Sequence, residues 1–376
     1  MSSNNQQANN LNKLNNLTLT DFDAYETTMP QNMIGDGSLL PVAAIYQNLD
    51  LYIDSINTRY IGNILEDIGQ LDDGSFIVIS SIIDSKYNCG FVTRFHHIEN
   101  IPNAPSLYLN PRMGPCNVME IPRRKHIVCG FDSGDLILAR GHDLLVEKSC
   151  QFFHNIVTSM SMIDDHSLIL AGDYDGRIVL VDVESFDPLK MFNYTHDGSV
   201  NDLQWSPSGS DNQQFLSCGS DNHILLWDLR AKGNIKPAAA QLICTSQPTA
   251  LFWGKENEIM FGTEIGNVVR FDLRNRQVLK TERLFPDHRI HRIKSLDTFK
   301  SGDKKKPTSV GIVADDCNQL MIYDLNLNIC KKQEQYPEQI AIRSMIQFAD
   351  GHEKTNELRL ATIGSKQSVF VHNHHC

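Results

Sequence analysis

Three residue types that together can carry out hydrolysis fall within one stretch of the chain, His196, Ser217 and Asp221, and an indole, Trp227, follows them. In a hydrolytic triad a histidine takes the proton of the attacking serine while an aspartate holds the imidazole in place. The same side chains, with the indole, can instead satisfy one another with no reaction at all. An indole only donates, a hydroxyl donates and accepts, a neutral imidazole offers one donor and one acceptor, and a carboxylate accepts. Taken in the order Trp227, Ser217, His196, Asp221, they form a chain that satisfies every polar atom. A catalytic serine must also be exposed and stand beside an oxyanion site. A hydroxyl committed to an indole meets neither condition, so the expected role is structural and no catalytic residue is assigned.

Other reactive groupings lead no further. The run His372-Asn-His-His-Cys376 offers metal-ligand types, but structural zinc needs four ligands converging from defined spacings, and a strand sends alternate side chains to opposite faces. Lys304 to Lys306 could serve as an import signal, although three charges in a polar insertion read more simply as a solvated loop. Phosphate loops, paired catalytic carboxylates and paired His-Glu metal motifs are lacking. The expectation is a non-enzymatic protein with no cofactor and no metal.

The elements that must position the four side chains come next. Residues 196 to 228 read His-Asp-Gly-Ser-Val-Asn-Asp-Leu-Gln-Trp-Ser-Pro and then Phe-Leu-Ser-Cys-Gly-Ser-Asp-Asn-His-Ile-Leu-Leu-Trp-Asp, and this unit resembles a complete WD repeat. The resemblance implies that His196, Ser217, Asp221 and Trp227 form a buried hydrogen-bonded tetrad. One such unit cannot bury both faces of its small sheet alone, so others must recur every ~40–45 residues. Matching turns fall at Cys89, Gly134, Gly176, Asn222, Gly266, Asn318 and Lys366, with separations of 45, 42, 46, 44, 52 and 48. The longest gap holds the polar insertion 301–307. Seven turns predict an all-β, seven-bladed WD-repeat β-propeller over residues 36–376. The position of Trp227 is matched by Arg94, Ala139, Val181, Phe271, Tyr323 and Val371, so the other blades must rely on apolar packing. The chain ends just after the strand Ser368 to Val371, which would leave an open sheet edge unless Val42 to Tyr46 or Leu51 to Ile53 pairs with it.

Composition narrows the class. Residues 1–35 are rich in Asn and Gln and are expected to be a disordered tail, within which Leu17 to Tyr25 combines apolar, aromatic and acidic groups. The net charge of −11 argues against direct nucleic-acid binding and suits a surface that receives basic proteins. Nine cysteines with no C-x-x-C pair suggest reduced core thiols of a cytosolic or nuclear protein. No secretory leader or membrane span is expected.

The centre of the chain is more specific than a generic repeat. Phe215-Leu-Ser-Cys-Gly-Ser-Asp-Asn-His-Ile-Leu-Leu-Trp-Asp-Leu-Arg230, Lys236-Pro-Ala238, Pro248-Thr-Ala-Leu-Phe-Trp253 and Met260-Phe-Gly-Thr-Glu-Ile-Gly-Asn-Val268 strongly resemble the WD-repeat subunits of the methylosome. Weaker echoes at Asp73 to Ser81, His154 to Val157 and Ala361 to His372 extend the likeness over roughly residues 60 to 375. This resemblance implies a scaffold that binds the N-terminal barrel domain of the symmetric-dimethylating protein arginine methyltransferase. Such a scaffold helps present histone and Sm-type Arg/Gly-rich tails, in cytoplasm and nucleus, while the chemistry stays in the partner. The family anchors its partner through an aromatic in a first-blade loop. The loop here is Asp84-Ser-Lys-Tyr-Asn-Cys89, which makes Tyr87, flanked by Lys86 and Asn88, the candidate in place of the family's Trp. The tail and the 301–307 insertion depart from the family pattern. Two alternatives are a histone-binding chaperone propeller, which would need an N-terminal amphipathic helix, and a peroxisomal import receptor, whose motifs match less well.

Overall fold

The computed structural model describes residues 64–84, 87–101, 106–109, 113–163, 166–193, 195–207, 213–230, 240–255, 257–296, 309–327, 329–338, 340–349 and 358–374. The tail expected over 1–35 and the segments proposed to close the ring, 42–46 and 51–53, lie outside the described residues. Within them the chain forms seven antiparallel sheets, spanning 64–109, 115–151, 157–192, 200–243, 248–283, 290–335 and 342–374. Six have four strands and the last has three among the described residues. In each, sequence order is spatial order. Blade 4, for example, runs Val200–Trp205, Gln214–Gly219, His223–Asp228, Ala240–Ile243 from the centre outwards.

Alternation along these strands gives every blade two apolar faces. In blade 4, Phe215, Leu225 and Trp227 pack with blade 3, whereas Leu216, Cys218 and Ile224 pack with blade 5. The same division recurs around the molecule, so that seven buried clusters fill the seven interfaces between adjacent blades. The cluster joining blade 7 to blade 1 contains Leu65, Phe76, Val78, Phe95, Phe348 and Ile363, with Phe76 edge-on to Phe348 at 5.2 Å. A single bridge between Ile64 and Ser365 completes the contact. Seven blades thus close on themselves.

Each innermost strand carries the same irregularity. Its register slips by one residue between Leu65 and Asp67, Pro115 and Asn117, Val157 and Ser159, Val200 and Asp202, Pro248 and Ala250, Ile290 and Arg292, and Ile342 and Ser344. A bulge re-aims the residue that it adds. The added residues, Glu66, Cys116, Thr158, Asn201, Thr249, His291 and Arg343, all line the central cavity. Several also lace blade to blade: the Asn201 amide donates to the Pro248 carbonyl at 2.8 Å and the Thr249 hydroxyl to the Ile290 carbonyl at 2.7 Å.

One turn departs from expectation. The second and third strands of blade 1, Phe76–Asp84 and Tyr87–Phe95, keep pairing as far as Asp84 opposite Tyr87, so Cys89 lies within a strand opposite Ile82 and not at a turn. The β-branched pair Ile82-Ile83 prolongs the strand where other blades turn. Bulge-to-bulge alignment also places Phe95, opposite Phe76, at the position of Trp227, rather than Arg94, and His372, opposite Leu360, rather than Val371. Arg94 is instead a clamp to blade 2, bonded to Asp73 at 2.6 Å and to the His142 carbonyl at 2.7 Å.

The seam of the ring is ionic as well as apolar. Asp67 of blade 1, only 3% exposed, accepts from Arg292 at 3.0 Å and Lys294 at 2.8 Å of blade 6, and from the Ser344 hydroxyl of blade 7 at 2.6 Å. Burial alone would raise this carboxyl, but the two cations outweigh it and hold it well below its ordinary value of 3.8. Removing one member of a buried ionic group leaves its partners uncompensated, so Asp67→Asn is expected to cost about 3–5 kcal/mol in urea denaturation. Because the folded-state value is depressed, this stabilisation is present above about pH 3.8 and lost as pH falls through the folded-state value. The variant should therefore lose that part of the acid limb of the stability curve.

Candidate functional site

The tetrad of blade 4 is assembled from four places in the blade. The entry loop supplies His196, the second strand Ser217, the following turn Asp221 and the third strand Trp227. The Trp227 indole donates to the Ser217 hydroxyl at 2.9 Å, which lies 2.7 Å from His196 Nε2, and His196 Nδ1 lies 2.9 Å from Asp221 Oδ1. Asp221 also accepts the backbone N–H of Asp197 and of His223, each at 3.1 Å. Burial pushes the Asp221 carboxyl up, but the hydrogen bond and charge of His196, with these amides, hold it at about 2. Ser217 is fully buried and its oxygen is engaged on both sides. No substrate carbonyl can reach it, and the group fixes the entry loop to the turn. Gly219 keeps the imidazole seated, since a Cβ there would fall 2.4 Å from His196 Nδ1.

Comparable links hold the mouth of the channel in the other blades. In blades 2 to 7 the turn after the second strand donates to the loop entering the first strand: Asp132 to Gly114, Tyr174 to Ile156, Ser220 to Ser199, Glu264 to Gln247, Asp315 to Arg289 and Ser365 to Ala341. Turns and entry loops therefore share one end of a central cavity of about 1010 Å³. Its walls are charged. Blades 6 and 7 contribute Arg292, Lys294 and Arg343, with Arg289 at the rim, while Glu66, Asp132 and Asp202 stand on the walls of blades 1, 2 and 4. Sequence reasoning missed this constellation, because the bulges that turn these residues inward leave no signature in hydrophobic alternation.

The hairpin of blade 1 rises from the same end. Beyond Ile79 opposite Val92, which correspond to Cys218 opposite Ile224 in blade 4, it continues for five further residue pairs. At ~3.3 Å per residue the paired ladder runs roughly 16 Å beyond the point where that of blade 4 ends. Gly90 lets it lean on blade 2: a Cβ there would lie 2.3 Å from the Pro115 ring. Tyr87 and Asn88 open the third strand, their backbones opposite Asp84 and Ile83. Their side chains, and Lys86 entirely, lie outside the described residues, as do Lys304 to Lys306. Among the described residues no group of three or more His, Cys, Asp or Glu could hold a metal ion, and no helix is long and apolar enough to cross a membrane. The described cysteines are free thiols, and burial pushes Cys116 and Cys244 up to about 12, so they stay protonated at neutral pH.

The WD domain, G-beta repeat family matches residues 147–182 and 186–228, the segments that hold most of blade 3 and the inner three strands of blade 4 with the tetrad. The chain is a seven-bladed propeller that carries WD repeats at these residues. It is similar to the Methylosome protein WDR77 of Xenopus laevis, 31% identical over 213 residues, covering 54% of this chain and 62% of that protein. The chain thus spans about three fifths of that relative's length. Among solved structures, a chain of the crystal structure of the mitotic checkpoint complex superposes with a TM-score of 0.62 at 13% identity, over 84% of this chain and 90% of that one. At such identity the likeness concerns the fold alone.

The tetrad makes a direct prediction. Asp221→Ala removes the acceptor of His196 and of two backbone amides, which should cost about 1–3 kcal/mol. A lowered melting temperature by calorimetry is the expected result, and an unchanged one would remove the tetrad from the forces that hold blade 4.

Proposed function

We propose that this chain is a non-catalytic scaffold and substrate-presenting subunit that binds and supports a protein arginine methyltransferase acting on histone and Sm-type Arg/Gly-rich tails, in cytoplasm and nucleus. The similarity to a protein named for the methylosome carries this reading. The propeller supports it, since a ring of blades offers broad, rigid end faces for protein contact. So does the tetrad, whose one serine, histidine and aspartate are committed to holding a blade together.

The long hairpin is the proposed attachment point. Its paired strands run past the point where the second and third strands of blade 4 part, and an aromatic near its end suits a pocket on a partner, where buried aromatics supply much of the binding energy. In this proposal Tyr87 enters a pocket on the N-terminal barrel domain of the methyltransferase and Lys86 meets an acidic rim there.

The purified chain should raise the methylation rate of the partner enzyme and give no heat of S-adenosylmethionine binding by itself. Donor binding by the isolated chain, or no effect on the partner, would count against the scaffold. Tyr87→Ala should weaken the complex by roughly 2 kcal/mol or more, about thirty-fold in Kd, with the melting temperature of the free propeller nearly unchanged. Unaltered affinity in a binding titration would place the contact elsewhere.

A further inference from the structure

In a chain whose net charge is −11, positive charge gathers along one wall of the central channel. Arg289 stands at its mouth, Arg343 and Arg292 lie deeper, and Lys294 follows. Two carboxylates pair with three of these four cations, and the pairing is uneven. Asp315 is shared by Arg343 at 2.7 Å and His291 at 3.0 Å, and Asp67 by Arg292 at 3.0 Å and Lys294 at 2.8 Å. Burial disfavours the charged form of His291, so it adds little positive charge of its own. The wall therefore keeps an excess of two positive charges.

Its donors are also underused. Among the described residues, the exposed Arg289 side chain donates to the Asn201 amide oxygen at 3.4 Å and lies near enough to Asp315 to help lower its carboxyl, and the buried Nε–H of Arg343 has no partner. Among the described residues, the carboxylates across the channel make no ion pair with these four side chains. Asp202 is filled by the backbone N–H groups of Leu203 and Leu251 and by the Ser159 hydroxyl, Glu66 accepts from Ser81, and Asp132 accepts the Gly114 N–H at 2.9 Å. Burial pushes the carboxyls of Asp132 and Asp202 up.

We propose that the channel mouth, at Arg289 and Arg343, is a binding site for a phosphoryl group. A phosphoryl dianion offsets the local excess of cations on this wall, and its several oxygens suit the exposed guanidinium of Arg289 and the partly exposed one of Arg343, groups built for bidentate contacts. The cavity of about 1010 Å³ has room for the group and for what bears it. On the rim across from Arg289, Ile156 and Tyr174 are 37% and 57% exposed and offer an apolar rest for that remainder. The site is separate from the hairpin tip and does not depend on methyltransferase binding.

The test uses the full chain and isothermal titration with pyrophosphate at constant ionic strength. Saturable one-site binding is expected, weakened at least tenfold by Arg289→Ala and less by Arg289→Lys, while Arg283→Ala on the outer strand of blade 5 leaves it unchanged. A peptide carrying phosphoserine, compared with its serine form, distinguishes the sources. Competition with pyrophosphate by the phosphorylated form alone identifies a phosphorylated chain as the ligand, and its absence identifies a small phosphate compound. Lack of saturable binding for pyrophosphate and phosphopeptide alike, or equal affinity in Arg289→Ala with an unchanged melting temperature, overturns the proposal.

Discussion

A thin twisted sheet with two apolar faces needs a neighbour on each side, and seven such sheets meet that need together only by closing on themselves. Every blade here is placed by this requirement. Residues alternate along each strand towards one neighbour or the other, and each interface holds its own buried cluster. Closure in turn brings seven innermost strands side by side, and the bulge repeated in each fixes which residue faces the channel. The polar interior thus follows from the apolar one.

Much of this order was legible in the sequence, for identifiable reasons. Gly176 and Gly266, with Asn222 and Lys366, occupy turns with φ between 57° and 82°, a backbone region that few residues enter readily. Residues that mark such turns can be counted, and their period gave the number of blades. Blade 1 has no such marker near Cys89, and its hairpin runs on past that position. The tetrad was legible because its four donors and acceptors form a closed set. The channel was not, since one inserted residue per strand shifts the alternation from which facing is judged, and nothing in the types at 66, 201 or 343 announces the shift.

Net charge proved a poor guide to where charge acts. An acidic total suits basic partners in general, yet the described channel places arginines and a lysine on one wall and carboxylates on the other. Within a cavity the field is set by which charges are already paired, and the overall sum is spread across outer strands where salt screens it. Asp67 illustrates the point. It ranks among 45 acidic residues in composition, but in the fold it joins three blades.

That seam also governs how the molecule is made. Asp67 and Ser344 are 277 positions apart, so at a synthesis rate of roughly 5–20 residues per second the two groups are separated by tens of seconds on the ribosome. Throughout that interval the face of blade 1 bearing Leu65, Phe76, Val78 and Phe95 has been synthesised but lacks the blade that covers it. A nascent chain in this condition resembles an arc with an adhesive end, which a molecular chaperone, or a second nascent arc, is able to grip before the seventh blade arrives.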